Sequence, residues 1–464
     1  MSTTLTNQKQ LFGHPIGLYV LFFTEMWERF SYYGMRAILT LYLVSEATGA
    51  NPGLGWTTGE ALSLYGTYTM MVYVMSIPGG IIADKWLGQR KSVLVGSLLL
   101  VAGHGILAVQ QMSAFYSGLV LIVLGVGMLK PNISTMVGGL YKQGDIRRDK
   151  GFTIFYIGIN LGAFLSSIIV GYIGEVHGWH YGFGLAGIGM ALGLLVYMYG
   201  QKHIAHVGNY LGSSVDASER EAAARPLNKI EKDRVAVLLV SFLLVVVFWG
   251  AFEQAGGLMN IYTMEKTNRF IGDFQVPASV FQSINAFFII FFGTSVALFW
   301  ANRKLKGKLS TGLFKMIVGL IIMGAGFFFM TGATAQFEAT GSSAMYWLVF
   351  AYLLHTIGEL CLSPVALSYI TKLAPVKYAS IMMGVYFAVT GFGSKLAGLL
   401  GEWSESLGEY IIFTGIAVFC VAFGLLMLLF RKKLEVLTHG AEDNEGTSNE
   451  EAEGFEIADK NINN

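Results

Sequence analysis

Charge is what this sequence has least of. Only 13% of its 464 residues are Asp, Glu, Lys or Arg, while 54% are hydrophobic. A soluble protein carries about 25% charged residues, so a water-soluble globular chain is excluded. The net charge of +1 offers nothing to nucleic acid. Cysteine is scarce as well. Cys361 and Cys420 both fall inside apolar runs, which argues against a structural disulfide or a redox role. An HExxH zinc-protease motif, a Walker loop and a nucleophile elbow are all missing. Met1 to Gly13 is polar and lacks a basic n-region with a cleavage site, so no signal peptide is read there and the first apolar run is itself an anchor.

What is there is a series of long apolar runs. About 20 apolar residues cross a bilayer as a helix, and only helices or closed barrels satisfy their backbone there. The runs do not alternate with the period of two that barrel strands need, so the chain reads as an all-α polytopic membrane protein. Twelve spans are expected, at 16–44, 57–82, 91–110, 114–140, 152–173, 180–200, 235–262, 277–300, 311–333, 344–371, 375–400 and 408–431. Loops on one side hold Lys85, Arg90, Lys91, Lys142, Arg147, Arg148, Lys150, Arg303, Lys304, Lys306, Lys308, Lys372 and Lys377, against Lys266 and Arg269 on the other. Lys and Arg gather on the cytoplasmic side, which places both termini inside.

The expected organisation is a cytoplasmic N-terminus (1–15), a six-helix bundle (16–200), a polar cytoplasmic linker (201–234), a second six-helix bundle (235–431) and an acidic disordered cytoplasmic tail (432–464). The halves echo each other faintly. Lys130–Pro131 in the fourth span answers Ser363–Pro364 in the tenth, and Trp27–Glu28 in the first answers Trp249–Glu253 in the seventh. Six helices plus six pseudo-symmetric helices is the major facilitator fold, with a central site between the halves.

The chemistry sits in the first span. Glu25, Glu28, Arg29, Tyr32, Tyr33 and Arg36 lie at offsets 0, 3, 4, 7, 8 and 11, all on one helical face. One charge near the bilayer centre costs about 2.5–3.5 kcal/mol on insertion scales, so four facing lipid would cost on the order of 10 kcal/mol. They must face the bundle interior or water. Ion pairs that only lock helices together are the plain alternative, and Glu25 and Arg29 are an i,i+4 pair. Lys130, Glu253 and Glu359 lie deep in the fourth, seventh and tenth spans. Four acids then face three bases. The spare carboxylate is suited to take a proton, and a substrate carboxylate on Arg36 or Lys130 would free Glu253 or Glu359 to be protonated. A static buried pair is again the alternative for each acid.

A polar and aromatic set accompanies these charges: Tyr65, Tyr68 and Tyr73, Asn132, Tyr156 and Asn160, and Asn285. It suits a zwitterionic ligand with variable side chains, or plain interhelical hydrogen bonding. Between spans two and three, Gly79 to Lys91 combines small residues for close helix approach with Asp84 and Arg90, which can make and break a gate contact. Gly182 to Gly187 matches a dinucleotide fingerprint, but it lies in an apolar run and reads as helix packing. Asn132-Ile133-Ser134 matches a glycosylation acceptor but lies within the membrane. Lys395 reads as snorkelling to the outer interface, Lys315 sits near the inner end of the ninth span, and His104 reads as a packing residue.

These segments resemble a known family. Gly80 to Lys91, with Gly80, Asp84, Gly88 and Arg90, resembles the signature loop of the major facilitator superfamily. Glu25 to Gly34 resembles the ExxERFxYYG motif of the proton-dependent oligopeptide transporters, and Phe155 to Gly162 their FYxxINxG signature. Gly127 to Asn132, Phe252 to Gly256, and Gly358 to Pro364 resemble the family's fourth-, seventh- and tenth-span motifs. The resemblance covers residues 14 to 431. It implies a monomeric symporter of the bacterial inner membrane that takes up di- and tripeptides with protons by alternating access, without a cofactor. It implies an outer gate pair Arg36–Glu253 and an inner pair Lys130–Glu359. Arg36 and Lys130 would meet the peptide carboxylate. Glu359 would meet the amino group, with Asn160 and Asn285 assisting, while Tyr32, Tyr33, Tyr73, Ser363 and Tyr386 would contact peptide. Glu25, Glu28 and Arg29, with Glu253 and Glu359, would couple protons.

Two departures stand out. The two extra helices of many bacterial members have no counterpart in this short polar linker. A position often Trp in the family is Tyr386 here, which bears on side-chain preference. No second-span histidine matches that of animal members, so proton binding should rest on carboxylates. A drug–proton antiporter shares the fold but needs no basic pair for a carboxylate. A plant-type nitrate carrier generally lacks the full ExxER motif. A membrane-embedded enzyme is the reading from another class.

Overall fold

The computed structural model describes residues 9–142, 145, 147–209, 226–375 and 378–442. All twelve expected spans are helical. The first six are Ile16–Val44, Thr58–Val74 continued by Ser76–Ile82, Gln89–Leu107, Met112–Gly139, Arg147–Tyr172 and Trp179–Ile204. The other six are Lys229–Phe252 continued by Leu258–Lys266, Ser283–Leu305, Gly312–Thr340, Met345–Leu373, Ala379–Leu407 and Glu409–Val436. Among the described residues, eleven are long and apolar enough to cross a membrane; the first span is the twelfth, kept out of that set by its four ionisable residues. Capping boxes start the second span (Thr57 with Glu60) and the seventh (Asn228 with Glu231).

Two hydrophobic cores divide the chain where the linker does. One is built from residues between Leu18 and Val207, the other from residues between Val237 and Met427. Ala278 and Leu62 cross, each buried in the other half's core, and the partly buried Met264 and Val44 pack against the opposite core as well. Large apolar side chains such as Leu239, Phe291, Val418 and Leu429 are exposed on the outside of the bundle, as a lipid-facing surface requires. The architecture is the major facilitator fold.

Glycine sets how closely the helices approach. A Cβ on Gly79 would overlap the carbonyl of Gly127, so the second span packs on the fourth there. Gly80, in contrast, has open space where a Cβ would go, so Gly79 is the close-approach residue of that segment. A Cβ on Gly162 would overlap the Met26 carbonyl, and one on Gly158 would lie 2.8 Å from the Phe22 ring. The glycines of the FYxxINxG segment therefore let the fifth span close on the first. Gly182 packs against Gly174 and Ile38, as helix packing predicts.

The seam between the halves along spans two and eleven is not uniform. A Cβ on Gly66 would lie 2.7 Å from Gly398 Cα, and one on Gly391 would lie 2.9 Å from the Met70 carbonyl. One on Gly384 would meet only Ile77, at 3.9 Å. The seam is tight at the end opposite the termini, here the far end, and looser towards the termini.

Four expectations are corrected. The seventh span is not one continuous helix. It tightens into a 3₁₀ turn at Glu253–Ala255 and restarts at Leu258, because the paired Gly256 and Gly257 are poor in a helix interior and stand here as the caps of the two segments. The tail does not begin at 432. The last helix runs to Val436, and the residues after it dock on spans seven and nine: Arg234 Nε donates to the Thr438 carbonyl at 2.9 Å, and the Gly312 N–H to Glu442 at 2.6 Å. Residues 443–464 lie outside the described residues, as do 1–8 of the N-terminus, 210–225 of the linker and the loop residue Lys377. Lys395 does not run free to the interface. It is half-buried and donates to Thr67 Oγ1 of the second span at 2.9 Å. Asp84 and Arg90 do not meet. Asp84 is exposed, and Arg90 donates its guanidinium to the Ala205 carbonyl and its N–H to Gly208.

Candidate substrate and proton site

The ionisable stripe of the first span faces inward as expected. Glu25, Glu28, Arg29 and Arg36 are all at most 6% exposed. Arg29 Nε contacts both acids, Glu25 at 2.7 Å and Glu28 at 3.0 Å. Only the Glu25 contact is aligned as a hydrogen bond. Both Glu28 oxygens are buried without a hydrogen-bond donor among the described residues. The Arg29 guanidinium is the one positive group in contact with that carboxylate among the described residues. An apolar cleft of about 240 Å³, lined by Trp27, Phe30, Leu165 and Ile188, lies on the opposite face of the same helix and has no part in this chemistry.

Towards the far end the first span is stitched to the seventh. Arg36 Nη1 donates to both oxygens of Glu253, at 3.0 and 3.2 Å. Tyr65 of the second span donates to the same carboxylate at 3.1 Å. The break after Glu253 makes this possible, since a Cβ on Gly256 would overlap the Tyr65 hydroxyl. Thr40 donates to the Gly256 carbonyl at 3.0 Å, and Asn260 to the Ala37 carbonyl at 2.8 Å. The Arg36 guanidinium also lies 5.0 Å from the centre of the Tyr33 ring, a cation–π contact.

The remaining charges stand apart. Lys130 Nζ sits 4.1 Å from the centre of the Tyr73 ring. Glu359 accepts from Asn285 Nδ2 at 2.8 Å, and Asn285 also donates to Thr356 at 3.0 Å. No ion pair joins Lys130 to Glu359 among the described residues. The seven charges are thus separate groups: Glu25–Arg29–Glu28, Arg36–Glu253, Lys130 on Tyr73, and Glu359 on Asn285. Charge counting leaves one acid over; the geometry leaves one acid and one base without ionic partners, on opposite halves.

The other predicted residues fall around these groups. Tyr32 is buried, while Ser363 is half-buried beside the helix-internal Pro364. Tyr386 is 5% exposed, with its own carbonyl accepting from Thr390 at 2.9 Å. Asn132 and Asn160 donate back to carbonyls of their own helices, Met128 at 2.7 Å and Tyr156 at 2.9 Å, so neither bridges helices. His104 is fully buried with neither ring nitrogen hydrogen-bonded among the described residues, as a packing residue would be.

Two features escaped the sequence reading. Tyr65 belongs to the Arg36–Glu253 pair and is more than lining. Glu175, at the far end of the fifth span, accepts from the backbone N–H groups of Ala278 and Ser279 at 2.8 and 2.7 Å. An acid near a loop carries no distinguishing mark in sequence.

The POT family model matches residues 90–220 and 214–409. The chain is 34% identical to the peptide transporter YePEPT of Yersinia enterocolitica, over 95% of this chain and 99% of that protein. It is 32% identical to a di-/tripeptide transporter of Lactococcus lactis subsp. cremoris, over 92% of this chain and 97% of that one. A crystal structure of a peptide transporter POT in complex with sulfate superposes with a TM-score of 0.86 at 33% identity, covering 93% of this chain and 97% of that one. The chain is a transporter rather than an enzyme, and it belongs to the POT family.

Proposed function

We propose that this protein is a proton-coupled symporter that imports di- and tripeptides by alternating access, working as a monomer in a bacterial inner membrane. The observation that carries the reading is the unpaired cation and acid on opposite halves, Lys130 and Glu359, below an Arg36–Glu253 pair that closes the far end. A peptide is a zwitterion with its charges at its two ends. Its carboxylate suits Lys130, with Arg36 when that residue is released, and its amino group suits Glu359 with Asn285. Fixing both ends limits length, since each extended residue adds about 3.3–3.6 Å. Side chains are left to Tyr32, Tyr33, Tyr73, Asn160, Ser363 and Tyr386, whose rings and amides accept varied partners. The names of the Yersinia and Lactococcus relatives support this substrate class.

The far end is the outer side in this reading, because the basic loops place the termini in the cytoplasm. The outer gate is then closed and the inner pair Lys130–Glu359 open. Glu25, Glu28 and Arg29 handle the coupled proton, with Glu28 as its carrier, because that buried carboxylate lacks a donor while Glu25 holds Arg29. Protonation of Glu28 shifts Arg29 wholly to Glu25. Glu253 and Glu359 respond to peptide through the gates, and the halves at 16–200 and 235–431 rock about the site. Labelled dipeptide uptake into proteoliposomes tests the proposal. Acidifying the outside should drive accumulation above the equilibrium level, and unlabelled di- and tripeptides should compete where free amino acids do not. Uptake that only equilibrates, with or without the gradient, contradicts it.

A further inference from the structure

The Arg36–Glu253 pair joins spans one and seven. It leaves the fifth and eighth spans, which also meet across the halves at the far end, without an assigned gate. Glu175 stands at that seam. It sits on a widened π turn, Ile173–His177, that ends the fifth span. Asn51 fixes this turn, donating to the Gly174 and Glu175 carbonyls at 2.9 and 3.1 Å and accepting from the Trp179 N–H at 3.1 Å. The backbone that carries the carboxylate is therefore fixed within the first half.

All the partners found for that carboxylate belong to the second half. It accepts from the Ala278 and Ser279 N–H groups and from Ser279 Oγ at 2.5 Å. Those N–H groups open the eighth span and have no helical acceptor of their own. Arg269 Nη1 lies 3.7 Å away, anchored by its bond to the Val276 carbonyl at 2.6 Å. Gly171, one turn below, has no room for a Cβ beside Ser279, so the two spans are in close contact here. The neighbouring pair Lys266–Glu409 lies within the second half, so rocking between halves does not strain it.

We propose that Glu175 is a second outer latch, which with Ser279 and Arg269 holds the fifth span to the eighth and must release before the site opens outward. This deepens the alternating-access reading and rests on it. Parting the halves would strip a largely buried carboxylate of three donors and leave two backbone N–H groups unmatched until water enters. The latch therefore favours the outward-closed state, and its strength sets how often the outer side opens.

Double electron–electron resonance on the full chain in liposomes tests it. Nitroxides go at Gln110→Cys and Ala339→Cys, exposed far-end positions on opposite halves, while the native cysteines are buried. Glu175→Ala should raise the ratio of long to short distances by about tenfold, the scale of one charge-assisted hydrogen bond. Ser279→Ala, a milder change that guards against misfolding, should shift the ratio in the same direction by less. A purely structural role for Glu175 would lower thermal stability without lengthening the distance. Widening in Arg36→Ala but in neither latch variant overturns the latch and leaves alternating access standing. No widening in any of the three overturns both.

Discussion

Removing the Tyr65 hydroxyl isolates one contact of the proposed outer gate. Tyr65→Phe keeps the ring and deletes a hydrogen bond to a charged carboxylate, which is worth about 1.5–3 kcal/mol. The far-end distance should lengthen about ten- to a hundredfold more often, read by the same spin labels; an unchanged distribution removes Tyr65 from the gate. Glu28→Gln makes the neutral form permanent. It should abolish proton-driven accumulation yet preserve exchange of labelled for unlabelled dipeptide, and retained accumulation would show that the proton is carried elsewhere. Such residues were readable in the sequence because ionisable groups in apolar runs are anomalous and expensive. Their pairing was not. Which acid takes Arg29, and whether Lys130 meets Glu359, depends on the conformation, and one sequence encodes all the conformations of the cycle. Glu175 was invisible for the opposite reason, since an acid near a loop is ordinary until Ala278 and Ser279 are seen beside it.

Among the elements, glycine position controls helix approach more than composition does. Gly79 and Gly80 are neighbours with opposite surroundings. Gly79→Ala forces a Cβ into the Gly127 carbonyl and should cost about 1–3 kcal/mol, the range of overpacking. Gly80→Ala meets open space and should leave stability nearly unchanged. Thermal unfolding in detergent distinguishes them, and equal melting temperatures would contradict the packing account. The spans themselves were legible within a few residues, because twenty apolar residues admit few structures in a bilayer. The interruptions were harder. The break after Glu253 has a signal in the paired Gly256 and Gly257, yet hydropathy runs straight through it. The docked segment from Lys432 to Glu442, with its two lysines and two glutamates, looks featureless until Arg234 and Gly312 supply its partners.

For the whole molecule, the tight far end and looser opposite end describe one state of a two-state machine. Alternating access needs a second state, in which Arg36–Glu253 and Glu175–Ser279 part and Lys130 meets Glu359. A ligand can shift that balance only by binding one state better than the other, and proton and peptide do so together if they share these ion pairs. Proton movement caused by peptide is the most direct reading of that claim. Proteoliposomes containing a trapped pH dye, with no imposed gradient, are given a dipeptide from outside under a clamped membrane potential. The interior should acidify with the dipeptide, a free amino acid should have no such effect, and the response should be lost in Glu28→Gln. An interior that stays at constant pH, or turns alkaline as an exchanger would make it, contradicts the account.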